Sequence, residues 1–192
     1  MTDDIRAFIA IELPEEIKFK LNEIQEMLKK GRAKAKWVAP ESIHLTLKFL
    51  GGISQDTALT VTQAMEESAL GTAPIHLGVS GLGVFPNDRR VQIVWAGLSG
   101  EIDKLTQLQR ELDSRLSKLG FAPESRPFTA HLTLARMRDE ASPAEREALG
   151  KLVQSTPFEG GAFTAASISL MRSQWRREGP IYTRIATAPL IE

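Results

Sequence analysis

The chain has 192 residues, three histidines (His44, His76 and His131) and no cysteine. Two of the histidines open the same short string, His44-Leu45-Thr46-Leu47 and His131-Leu132-Thr133-Leu134, 87 positions apart. In a strand, residues two apart point the same way. His44 and Thr46 would then share one face, as would His131 and Thr133, while the leucines anchor the opposite face. Two imidazoles suit acid–base catalysis near neutral pH, one neutral and taking a proton, the other charged and giving one. Threonine hydroxyls can donate to non-bridging phosphate oxygens. Together they fit cleavage of a phosphate ester without a metal or a covalent nucleophile, on a substrate that carries its own activation, as a strained cyclic phosphodiester does. A lone His-Leu-Thr-Leu is more often a structural strand histidine. With thirteen threonines in the chain, two of three histidines having threonine two residues on is roughly a one-in-a-hundred coincidence.

Composition narrows the rest. The absence of cysteine excludes a disulfide scaffold, a thiolate zinc site and a thiol nucleophile. There is no His-x-His or His-Glu-x-x-His, so no metal ligand set is expected. Lysine and arginine number 24 against 24 aspartates and glutamates, which argues against coating long nucleic acid electrostatically. The start, Met1-Thr2-Asp3-Asp4, is acidic where a signal peptide would be basic, and the apolar stretch Ile5 to Leu13 is broken by Arg6 and Glu12. No run approaches the roughly 18 apolar residues of a membrane span. A cytoplasmic protein with no membrane partner is expected, and nothing demands more than a monomer.

The elements that must position the histidines also come in pairs. Ile5 to Ile11 and Val91 to Ala96 read as strands, displaced by 86. Ile17, Leu21, Ile24 and Leu28 form one helical stripe after the first. Ile102, Leu105, Leu108, Leu112, Leu116 and Leu119 form another after the second, with Gly120 as a stop. A helix built on Ala58, Leu59, Val61 and Met65 follows the first histidine strand. The helix after the second opens on Ser142-Pro143-Ala144-Glu145, a capping box with proline in its first turn. Each half closes on an extended stretch, Ile75 to Val84 and Phe163 to Met171, and a last strand covers about 181–188. Pro86-Asn87-Asp88 is the best turn between halves. The expected architecture is α+β: one two-lobed domain over 1–192, built by internal duplication of β-α-β-α-β (halves about 5–84 and 91–172). Its mixed or antiparallel sheets would face a central cleft, with helices outside.

On these residues the sequence resembles the 2H phosphoesterase superfamily, named for paired His-x-Thr motifs, and within it the RNA 2′,3′-cyclic phosphodiesterases, also called 2′-5′ RNA ligases. The likeness runs through Arg6-Ala7-Phe8-Ile9-Ala10-Ile11, Leu13-Pro14, Trp37, Ile43 to Gly51, Pro127 to Arg136, and Ser173, Gly179 and Tyr182. It implies that His44 and His131 are the catalytic pair, that Thr46 and Thr133 hold the phosphate, and that no cofactor or metal is needed. It also implies that Arg136 contacts a phosphate oxygen and that Phe49 lies beneath the base. The implied reaction opens a 2′,3′-cyclic phosphate on an RNA end or small nucleotide to a 2′-phosphate, and the resemblance also implies a reversible 2′-5′ RNA ligase activity. His131 is taken as base and His44 as acid, an assignment that pseudo-symmetry leaves open. The alternative is a nucleotide-binding module that uses the same cleft without turnover.

Strict alternation conflicts with two of those roles. It places Phe49 and Arg136 on the leucine face, where a buried unpaired arginine is costly. A bulge or strand end shared by both repeats would re-aim them; without one, the implied roles fail. Lys48 shares the face of His44 by parity and is a further phosphate candidate. Trp37 either lines the cleft or closes the core. Arg172, Arg176 and Arg177 with Trp175 either receive the RNA strand or form a solvated edge. His76 reads as structural, and Gly81-Leu82-Gly83 lacks the setting of a phosphate loop.

Overall fold

A computed structural model describes residues 4–192; Met1-Thr2-Asp3 of the acidic start lies outside the described residues. The chain runs through β1 (Ile5–Glu12), α1 (Glu15–Lys29), β2 (Ala35–Trp37), β3 (His44–Ile53), α2 (Gln55–Ala69) and β4 (Ile75–Phe85). It continues through β5 (Ile93–Gly100), α3 (Ile102–Lys118), β6 (His131–Met137), α4 (Pro143–Ser155), β7 (Glu159–Ala165), β8 (Ser167–Arg176) and β9 (Gly179–Pro189). The strands form a four-stranded sheet, β3-β1-β8-β9, and a five-stranded sheet, β2-β6-β5-β4-β7. Every strand pair in both is antiparallel. The fold is α+β, with four helices and two antiparallel sheets among the described residues.

The sheets do not coincide with the repeat halves. β4, from the first half, pairs with β5 of the second, and β8, from the second half, pairs with β1 of the first. The expected single stretch from Phe163 to Met171 is therefore two strands. β7 ends at Ala165 on the edge of one sheet, and β8 starts at Ser167 inside the other. Sequence periodicity cannot register such a crossing, because both strands read as extended.

The helices cross over as well. α1 and α4 pack on the five-stranded sheet, against β7 and β4, while α2 packs against β8 and β9, and α3 packs against α2 and touches both β3 and β4. The α1 stripe is buried as its spacing predicts, at Ile17, Leu21, Ile24 and Leu28. In α3, Leu105, Leu108, Leu112 and Leu116 are buried, each stabilising by about 1.5–3 kcal/mol. Leu119 falls past the last turn, and Gly120, at φ 95°, takes the left-handed conformation that ends the helix. In α2 the buried face is Ala58, Val61, Ala64 and Met65; Leu59, placed on that face by the sequence reading, points to solvent. α4 begins on the expected capping box, the Glu145 amide donating to Ser142 Oγ and the Ser142 amide to Glu145 Oε2. The expected turn between halves forms, with Asn87 Oδ1 accepting the amides of Arg89 and Arg90.

The main irregularity lies in the histidine strands. β1 pairs Ala10 with Thr46 and Ile9 with Lys48, skipping Leu47; β5 pairs Trp95 with Thr133 and Val94 with Ala135, skipping Leu134. Both repeats thus carry a bulge at the same place, and beyond it the alternation reverses. Leu47 and Lys48 are both buried, as are Leu134 and Ala135, and Phe49 and Arg136 emerge on the histidine face. Lys48 departs from its expected place. It turns away from His44 into the α3 side, 4% exposed, donating to Asp113 Oδ1 and the Ala122 carbonyl, both at 2.6 Å.

Removing one partner of such a buried pair costs more than the pair contributes. Lys48→Met should therefore destabilise the fold by about 2 kcal/mol or more, read as a lowered midpoint in urea. A midpoint equal to wild type would show that the β3 bulge does not depend on this ion pair.

Candidate active site

Each histidine is oriented by its own backbone. His44 Nδ1 lies 2.7 Å from the Ser42 carbonyl oxygen, and His131 Nδ1 lies 2.7 Å from that of Thr129. A carbonyl only accepts, so in both rings Nδ1 carries the proton and Nε2 is left for chemistry. The same two-residue step back to a carbonyl in both repeats gives the two imidazoles one tautomer.

Aromatic rings then fix the imidazole planes. Phe8 stacks on His44 at 4.6 Å between centroids, and Tyr182 meets His44 edge-on at 5.2 Å. Phe85 meets His131 edge-on at 5.1 Å and packs against Trp95 at 5.3 Å. Trp95 stands opposite Thr133 and Phe8 opposite Phe49 in the strand registers. The indole lies on Gly83, where any Cβ would collide with its ring. Gly83 of the Gly81-Leu82-Gly83 string thus makes room for the Trp95 indole. Phe8, Phe85 and Trp95 carried no role in the sequence reading. Alternation along Arg6, Phe8, Ala10 and Glu12 puts Phe8 on the histidine face, and the 87-residue offset maps it onto Trp95.

The two histidine faces converge. β3 and β6 lie together where the sheets meet. Lys36, cross-strand from Arg136, places its ammonium 4.9 Å from the ring centroid of Trp175 on the other sheet. Arg136 and Arg6 both lie close enough to Tyr182 for their charges to act on its phenol; burial, the larger effect, still raises that phenol above its ordinary range. Arg136, exposed on β6, thus lies on the side of its sheet that faces Tyr182 on the other. Phe49 is exposed near Phe8, 6.2 Å between centroids. Thr46 and Thr133 sit on the histidine faces, each half-buried.

The other candidates take different places. Trp37 pairs with buried Ala135 and packs against the core. His76 is exposed and held at Glu101, 3.1 Å from Nδ1 to Oε2. Trp175 and Arg176 stand exposed at the end of β8. Among the described residues, no three histidine, aspartate or glutamate side chains are grouped to hold a metal ion, and no helix is long and apolar enough to cross a membrane. A concavity of about 850 Å³ along the start of α1 and β7 has no histidine in its lining.

These repeats have relatives. A family model described as LigT-like phosphoesterase matches the chain twice, over residues 11–95 and 97–182. This chain belongs to the LigT-like phosphoesterase family. The double match has the form expected of an internal duplication. The chain is 35% identical over 180 residues to the RNA 2′,3′-cyclic phosphodiesterase of Methanothermobacter thermautotrophicus, covering 93% of this chain and 95% of that one. It is 33% identical to the protein of the same name from Aquifex aeolicus, covering 93% and 94%. Among solved structures it resembles a Thermus thermophilus protein, with TM-score 0.80, 27% identity and coverage of 97% and 98%. It also resembles E. coli LigT in its apo form, with TM-score 0.78, 26% identity and coverage of 98% and 99%.

Electrostatics around His44 set a pH dependence that belongs to this family member's own residues. Burial pushes the His44 imidazole below its ordinary value of 6.5, against the hydrogen bond to Ser42 and the charge of Glu12, which pull it up. Glu12, cross-strand from His44, accepts from Arg184 Nε at 2.7 Å and Ser169 Oγ at 2.8 Å. Burial alone would raise the Glu12 carboxyl, but these hydrogen bonds and the Arg184 charge hold it below the usual carboxylate range. A histidine with a depressed folded pKa binds fewer protons folded than unfolded. Its contribution to stability is present above about pH 6.5 and lost as pH falls through the titration. By NMR, the His44 ring protons should titrate below pH 6.5, the ordinary value, and in Glu12→Gln lower still. A midpoint above that value, or an upward move in Glu12→Gln, would contradict this account.

Proposed function

We propose that this phosphoesterase hydrolyses a terminal 2′,3′-cyclic phosphate on an RNA end or small nucleotide to a 2′-phosphate, by two-histidine acid–base catalysis without a metal. The observation that carries the reading is the matched pair of imidazoles, each with Nδ1 committed to a backbone carbonyl and Nε2 free beside a threonine two residues on. The relatives at 35% and 33% identity bear the corresponding name.

In this reading His131 Nε2 takes a proton from water as it attacks phosphorus, and His44 Nε2 delivers one to the departing 3′ oxygen. Burial of His44 makes its imidazolium a ready proton donor, and the phosphodiester anion favours the charged form once bound. Thr46 and Thr133 donate to the non-bridging oxygens. Arg136 adds a charge-assisted hydrogen bond, and Phe49, exposed beside Phe8, offers a face to the base. With a nucleoside 5′-hydroxyl in place of water as the attacking group, its proton going to His131 and the 3′ oxygen again leaving with a proton from His44, the same groups would form a 2′-5′ linkage.

His44→Ala and His131→Ala should each lower the rate of 2′,3′-cyclic nucleotide hydrolysis by about 10² or more, with a 2′-phosphate as product. A chelator should leave wild-type turnover unchanged. Near-wild-type activity in either variant would remove that histidine from the pair. Tight nucleotide binding without turnover would favour a binding module instead.

Arg136→Ala should weaken inorganic phosphate binding about tenfold, measured by calorimetry. Unchanged affinity would return Arg136 to a structural role.

A further inference from the structure

Two buried glutamines have no part in the chemistry above. Gln25 on α1 is 1% exposed and Gln109 on α3 is 4% exposed. Each lies on an otherwise leucine- and isoleucine-lined helix face, where a glutamine loses both hydration and packing unless its amide is used. Gln25 Nε2 donates to the Leu134 carbonyl at 3.0 Å and to the Val38 carbonyl at 2.7 Å. Gln109 Nε2 donates to the Leu47 carbonyl at 3.4 Å.

Leu47 and Leu134 are the residues that the neighbouring ladders skip, and they occupy the same place in the two repeats. Because the helices cross over, the glutamine of each half supports the bulge of the other half. Gln25 serves the strand of His131 and Arg136, and Gln109 serves the strand of His44 and Phe49. The first bulge has a second anchor in Lys48. The second has alanine at that place, and its Leu134 carbonyl is held by Gln25 and the Val38 amide.

We propose that Gln25 and Gln109 are positioning residues: by holding the Leu134 and Leu47 carbonyls toward the helices, they keep the bulges that turn Arg136 and Phe49 onto the histidine face. The proposal rests on the phosphate-binding reading of Arg136. Without the Gln25 amide, β6 can relax toward regular alternation and carry the guanidinium away from the threonines. The histidine and its Thr129 carbonyl precede the bulge and stay in place. The loss should therefore fall on binding and leave the proton-transfer pair intact.

The test uses the intact protein and Gln25→Met, which keeps side-chain length and removes the donor. The amide resonances of Ala135 and Arg136 should shift, while those of Lys48 and Phe49 should not; Gln109→Met should show the converse. Inorganic phosphate should bind Gln25→Met about tenfold more weakly, and KM for a 2′,3′-cyclic nucleotide should rise similarly with kcat within about threefold. In an Arg136→Ala background, Gln25→Met should add nothing further to the loss of phosphate affinity. An additive loss, or unmoved Ala135 and Arg136 amides, overturns the proposal while leaving the phosphate reading standing. A wild-type protein that binds no phosphate overturns that reading, and the proposal with it. If Gln25→Met does not fold, Gln109→Met, which removes the longer bond, decides through the Lys48 and Phe49 amides alone.

Discussion

The structure depends on a single break in strand alternation, made twice. A regular strand cannot show a histidine, a threonine and an arginine at intervals of two and three on one face, because its side chains alternate strictly. The bulges at Leu47 and Leu134 supply the missing step. With them, one strand presents His131, Thr133 and Arg136 together while Leu132, Leu134 and Ala135 fill the core behind. A bulge leaves ladder groups without their usual partners, so it has to be built into the packing around it. The buried lysine, the two glutamines and the extra pairing of β2 against β6 all meet at that requirement.

Duplication explains why the supports come from the opposite half. The first half gives β1 and β3 to the four-stranded sheet and β2 and β4 to the other, while the second half gives β5, β6 and β7 to the five-stranded sheet and β8 to the other. Neither sheet can be completed by one half alone. The continuous core, running from Ile9 and Leu45 to Leu105 and Leu132, ties the histidine strands to the same packed body. The relative position of the two histidine strands is thereby set by the core and not by a hinge.

The halves have also diverged at equivalent places. Phe49 and Arg136 occupy equivalent places and present a ring and a charge. Phe8 and Trp95 do likewise, the first stacked on an imidazole and the second laid over Gly83. His44 has Glu12 as its cross-strand partner where His131 has Gly97, so the two imidazoles have different neighbours.

Much of this was legible in the residues themselves. Helical stripes, the capping box, the stop at Gly120, the Asn87 turn and the face shared by His44 and Thr46 all follow from local geometry, which spans only a few residues. The repeated motif brought out the pair and the duplication, and the conflict over Phe49 and Arg136 announced a shared bulge. Local pattern was silent or misleading where partners are distant in sequence. Lys48 reads by parity as a site residue, but the bulge and Asp113 take it into the core. Leu59 reads as buried, but no sheet covers its side of α2. The exchange of β4 and β8, the rings around the histidines and the use of Gln25 and Gln109 arise from contacts between segments far apart in the chain. The chemistry of the individual side chains was a property of the sequence; which of them meet, and on which face, was decided by packing, because only the assembled core determines where a strand must bulge.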